Sequence, residues 1–168
     1  MFRKFSFLLL AFLLAGCAAV PAKSAAELAI YLPVERMSGR DILAADLSKL
    51  ALEAQPLISA DEIGSYTAAS HDLRLTPAAV ERLAAMKIPV NGIGFVACLG
   101  TPPIFAGAIW TQLSSLSFDG VTIQVPIDAN DTLVHLYSGY PSMDEPLPDD
   151  PRNDACMLKA LEQAGKLR

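Results

Sequence analysis

Five side chains stand out as able to do chemistry near neutral pH: Cys17, Cys98, Cys156, His71 and His135. A thiolate is a nucleophile and a metal ligand. An imidazole titrates near neutrality without a large shift in pKa. His71 shares one face of an alternating stretch with Leu73 and Leu75, opposite Asp72 and Arg74, and His135 lies between Val134 and Leu136. Both patterns predict satisfied core histidines rather than catalysts. The rival expectation is a hydrolase in which either histidine acts with an Asp or Glu. An open cleft that brings imidazole and carboxylate within hydrogen-bond reach would favour it. The two histidines are too far apart in sequence to predict a metal site. Cys98 and Cys156 show neither a CxxC redox signature nor zinc spacing.

Other motifs are weaker. Gly92-Ile-Gly94-Phe-Val-Ala97 spells G-x-G-x-x-A, but it precedes a strand instead of opening a helix, so it fails the context of a dinucleotide fingerprint. Ser114, Ser115 and Ser117 lack a G-x-S-x-G elbow. Asp128-Ala-Asn130-Asp131 and the group Asp144, Glu145, Asp149, Asp150 and Asp154 could attract calcium, yet neither fits an EF-hand, and a solvated acidic loop stiffened by prolines is expected. The lone Trp110, with Phe105 and Tyr137, could line a pocket; core packing is the expected role.

The elements that must position these residues follow from periodicity. Glu27–Glu35 alternates and predicts a strand that Pro33 pushes to an edge or an end. Asp41–Ala54 predicts a helix whose end alternates as well as it spirals. Ser59-Ala60-Asp61-Glu62 fits a capping box, and Tyr66–Leu75 predicts one strand. Thr76-Pro77 starts a helix with an N-cap hydroxyl and Pro at the first position, running to about Met86. Ile93–Leu99 and Ile104–Trp110 are buried strands, and Leu113–Phe118 is irregular or an edge. Val121–Val125 and Thr132–Tyr137 are further strands, Pro141–Asp150 is an acidic loop, and Asp150-Pro151 opens a final helix. The sum is an α+β domain, mostly antiparallel, with two or three helices and a βαββ unit around residues 70–110.

The N-terminus has a different logic. Arg3 and Lys4 precede the apolar run Phe5–Leu14, and small residues follow. This is the pattern of a secretory signal, with an apolar run too short for the roughly 20 residues of a membrane span. The quartet Leu14-Ala15-Gly16-Cys17 resembles the lipobox of bacterial lipoproteins at every position. The resemblance implies cleavage before Cys17 and diacylglycerol on its thiol. Ala18, where an Asp would favour the inner membrane, implies the outer membrane facing the periplasm in a Gram-negative host. On this reading residues 1–16 are a leader, 17–26 a tether and 27–168 one globular domain. Loss of Arg3 and Lys4 moves the net charge from −5 to −7, which argues against nucleic acid. In an oxidising compartment a Cys98–Cys156 disulfide is expected, closing a loop of about 59 residues and stabilising by roughly 4 kcal/mol.

A second resemblance covers about forty residues. Leu73-Arg-Leu-Thr76-Pro-Ala-Ala, then Asn91-Gly92 and the strands 93–99 and 104–110, is similar to part of the periplasmic head of the SecD/SecF translocation proteins. It implies a βαββ arrangement, not translocation. It departs from that pattern at Pro77-Ala78 and at Gly100. The mature chain as a whole resembles small uncharacterised bacterial lipoproteins. The sequence therefore predicts a lipid-anchored envelope protein, a non-catalytic binding or interaction module, with membrane contact through Cys17 and an envelope protein as partner. It requires no cofactor. The alternative is an envelope hydrolase using His71 or His135 with a carboxylate.

Overall fold

Alternation along each strand decides which side chains share a face. The computed structural model describes residues 27–128, 130–141, 147 and 149–168. Among them lie seven strands: β1 (Leu28–Tyr31), β2 (Ile63–Thr67), β3 (Asp72–Leu75), β4 (Ile93–Leu99), β5 (Pro103–Trp110), β6 (Val121–Gln124) and β7 (Leu133–Tyr137). They form one sheet of order β1-β4-β5-β6-β7-β3-β2. Every neighbouring pair is antiparallel except β5–β6, which is parallel. The helices among the described residues are α1 (Gly39–Ala44), α2 (Pro77–Ala84) and α3 (Ala155–Gln163). The α+β class is as expected, although the sheet is mixed and curls into a half-barrel.

The concave face carries the main core. Phe95 and Ala97 of β4, Ile123 of β6 and Leu136 of β7 converge there with Leu73 of β3. Val80 and Leu83 of α2 and Met157 and Leu161 of α3 fill the hollow. Burial of each such side chain contributes about 1.5–3 kcal/mol. On the convex face, Ile42 of α1 packs on Val96 and Cys98, and a separate patch joins Ala108, Trp110 and Phe118. Both sheet edges are covered: Ile30 of β1 exchanges hydrogen bonds with Ile58, and Tyr66 of β2 pairs with the C-terminal residues through Lys166 O and the Arg168 N–H. Covered edges cannot recruit a strand from another chain.

Four expectations need correction. The βαββ unit exists in chain order only: β4 and β5 pair, but β3 is separated from β5 by β6 and β7, so α2 is a crossover. Tyr66–Leu75 is not one strand but the hairpin β2–β3, turning through residues 68–71. The helix expected over 41–54 ends at Ala44, because the later residues pair with the end of the first strand region: the Val34 N–H donates to Ala51 O and the Glu53 N–H to Leu32 O. Thr76 is the N-cap of α2, yet its buried hydroxyl makes no hydrogen bond among the described residues; its carbonyl accepts from the Ala79 and Val80 N–H groups. The capping box at Ser59 does form: its N–H and hydroxyl both donate to Glu62 Oε2, starting a 3₁₀ turn that feeds β2. The leader expected over 1–16, the tether over 17–26 and the lipid on Cys17 concern residues outside those described, as do Asp144 and Glu145.

Candidate functional site

Register brings two of the sequence candidates together. Asp72 of β3 stands directly opposite His135 of β7. Along β7 the buried residues are Val134 and Leu136, so His135 lies on the other face. This corrects the core reading of His135. Its Nδ1 lies 2.9 Å from Asp72 Oδ1, and the Ser70 hydroxyl donates to Asp72 Oδ2 at 2.6 Å. The Ser70 hydrogen bond, with a contribution from His135, holds the Asp72 carboxyl below its ordinary range against an opposing push from burial. An ionised carboxylate only accepts, so Nδ1 of His135 donates.

His71 is likewise not on the apolar face of a strand. It ends the turn between β2 and β3 with φ 55°, in the left-handed region that non-glycine residues seldom occupy. The turn folds its ring back onto the residue five before it: Tyr66 Oη lies 2.9 Å from His71 Nδ1. The phenol has one hydrogen, and it goes to the Arg152 carbonyl at 2.8 Å. The imidazole must therefore donate to the phenol oxygen. Burial drives the Tyr66 hydroxyl pKa well up, so this phenol stays protonated.

A buried arginine closes the arrangement. Arg152, 3% exposed, grips the Asp150 carboxylate through Nε and Nη2 and donates from Nη1 to Leu136 O at 2.9 Å. Burial pushes Asp150 up, but the Arg152 hydrogen bonds and charge outweigh it and leave the carboxyl below its usual range. Asp150 Oδ2 is also 3.8 Å from His71 Nε2. These groups line an open cleft of about 560 Å³ between Ser70, His71, His135, Leu147, Asp150 and Arg152. His135 also borders a hollow of about 320 Å³, where its ring sits 4.3 Å from that of Tyr137.

The cleft is thus lined by an imidazole, His135, whose partner is the Asp72 carboxylate, a pairing of the kind that orients a general base. Ser70 spends its hydrogen on Asp72 and not on an imidazole. Tyr66, Asp72, Asp150 and Arg152 were not expected in the site. For His135 a signal existed, since period two puts it out of phase with Val134 and Leu136.

The remaining candidates lie elsewhere. Cys98 and Cys156, the pair expected to bridge, are free thiols in this structure. Cys98 is buried on the convex face beside Ile42, where burial raises its pKa, while Cys156 is exposed on α3, the helix that packs into the concave core. Gly92 sits in a turn and Gly94 in β4, and no helix follows. The Ser114 hydroxyl ties its loop to Val90 O. Asp128 and Asp131 accept from the Asn130 and Leu133 N–H groups, so each shapes its own loop. Phe105, Trp110 and Tyr137 part company: Phe105 is in the concave core, Trp110 in the convex patch and Tyr137 beside His135. No protein-family model matches this chain, and neither curated proteins nor solved structures provide a match.

Proposed function

We propose that this chain is a lipid-anchored protein of the cell envelope whose domain binds another envelope component without catalysing a reaction. The quartet Leu14-Ala15-Gly16-Cys17 carries the anchoring half of the reading. Two or three acyl chains hold a protein firmly where one does not. Ten residues, 17–26, would tether the domain within roughly 33–36 Å of the bilayer. With Ala18 after the cysteine, the outer membrane is the destination in a host that has one. The binding half is supported by how the cleft is wired. Its imidazoles, carboxylates and guanidinium are cross-linked by hydrogen bonds into a polar surface, and the Ser70 hydroxyl spends its hydrogen on Asp72. Cys17→Ser should move the protein from the membrane to the soluble fraction, or leave it as the larger precursor. A variant that is processed and anchored like wild type would refute this reading.

One observation favours the hydrolase reading: His135, which lines an open cleft, meets Asp72 at 2.9 Å. General-base catalysis contributes about 10²–10⁴-fold. On the binding reading, wild type and His135→Ala hydrolyse a panel of activated esters and amides at the same background rate. A loss of about 100-fold or more in His135→Ala, with the fold intact, would transfer the assignment to a hydrolase.

A further inference from the structure

A third hollow lies away from the histidines and shares no lining residue with either of the two that His135 borders. It encloses about 440 Å³ between the start of α1, Asn91 and the segment 116–119. That is within the range of small-ligand sites. We propose that it binds a neutral saccharide of one or two rings. The assignment goes beyond the envelope-binding reading by naming a place and a ligand chemistry, and it depends on neither the lipid anchor nor the two-histidine cleft.

The hollow has two kinds of wall. One is apolar: Trp110 and Phe118, ring centroids 5.1 Å apart at an interplanar angle of 16°, with Leu43 and Leu116 at the rim. This aromatic pair is held in place by bare backbone. A Cβ on Gly39 would come within 2.9 Å of both rings, and one on Gly92, at φ +71°, would overlap the indole. A wall so fixed is organised before a ligand arrives, which lowers the cost of binding. Leu43 and Leu116 remain 45% and 47% exposed, high for leucine and suited to being covered by the apolar face of a ligand.

The other wall is polar and mixed in sign. Asp41 and Asp119 disfavour an anion, and Arg40 offsets part of their attraction for a cation. A neutral ligand meets no charge penalty. Ser38 spends its hydroxyl hydrogen on Asp41 Oδ2, while Asn91 and Ser117 each offer both a donor and an acceptor. Their natural counterpart is a set of hydroxyls, which also do both. A sugar ring joins such hydroxyls to C–H faces that pack on apolar walls. The buried Nε1 of Trp110 has no acceptor among the described residues.

Trp110 is the one tryptophan of the chain, so its emission reports on this wall. The full-length protein in detergent is titrated with N,N′-diacetylchitobiose and with maltose, and in parallel with inorganic phosphate and tetramethylammonium. At least one disaccharide should change the emission saturably, with half-saturation near or below about 1 mM, and neither ion should. Asn91→Ala and Asp119→Ala alter exposed residues and should preserve the melting temperature while weakening saccharide binding about tenfold. Silence with both disaccharides overturns the proposal, as does a response to either ion alone. A saccharide response unchanged in both variants overturns it too. None of these results bears on anchoring, which the Cys17→Ser fractionation tests separately.

Discussion

Arg152→Met should lower the thermal midpoint by roughly 6–20 °C. The guanidinium is 3% exposed and is the partner that makes a half-buried Asp150 tolerable. Methionine fills similar volume but leaves the Asp150 carboxylate with only the backbone N–H of residue 152, and the Leu136 carbonyl without the guanidinium. Breaking a buried pair from one side costs about 3–5 kcal/mol, and for a domain of this size each kcal/mol moves the midpoint by about 2–4 °C. The effect carries a pH signature. In wild type the folded state holds Asp150 below its unfolded value. Its contribution is therefore complete above the unfolded carboxylate pKa of about 3.9 and fades as pH falls through the lower folded value. In the variant burial remains and the opposing charge is gone, so the folded value rises. The difference in midpoint between wild type and Arg152→Met should be widest near pH 7 and shrink steadily toward pH 3. Melts across that range check it. A difference under about 2 °C at neutral pH, or one that does not change with pH, would show that water screens the pair.

The same residue shows where the sequence was readable and where it was not. β4, β5, β6 and β7 were legible because uninterrupted apolar runs and turn residues bound them, and each observed strand lies within a residue or so of its expected range. The break between β2 and β3 was not, since Ala68-Ala69-Ser70-His71 contains no glycine, proline or asparagine, and the left-handed turn position is taken by His71 itself. The pairing of Leu32 and Val34 with the segment after α1 left a trace in the alternation of Leu50, Leu52 and Ala54, which competed with an equally good helical spacing. The candidate site was the least legible part. Asp72 and His135 are 63 residues apart, and Arg152 donates to a carbonyl 16 residues before it. Such contacts depend on strand order, and that order is set by the α2 crossover and by the one parallel step in the sheet. Local pattern carries no information about either.

That parallel step makes Gly107→Val the second large effect. Gly107 of β5 lies opposite Phe95 on one side and Val121 on the other. A Cβ there would overlap the Val121 carbonyl oxygen and stand 2.5 Å from the tip of the Phe95 ring. The ring could swing only within a packed core, and the carbonyl belongs to the backbone of β6, so the strands themselves must separate. Overpacking a core typically costs 1–3 kcal/mol, and a clash that only backbone movement can relieve should exceed about 3 kcal/mol. Gly64→Ala is the matched control: its Cβ would meet the Arg74 carbonyl at 3.5 Å, an ordinary contact. It should be neutral or stabilise by up to about 1 kcal/mol, by reducing the freedom of the unfolded chain. The β5–β6 junction joins β1, β4 and β5, which carry Trp110, to β6, β7, β3 and β2, which carry the His135 cleft. Gly107→Val should therefore shift Trp110 emission to the red and abolish cooperative melting together, because neither half of the sheet closes the concave core alone. If the variant melts cooperatively within about 3 °C of wild type, the two halves are not held together at this junction, and β5 and β6 are not the neighbours that the strand order makes them.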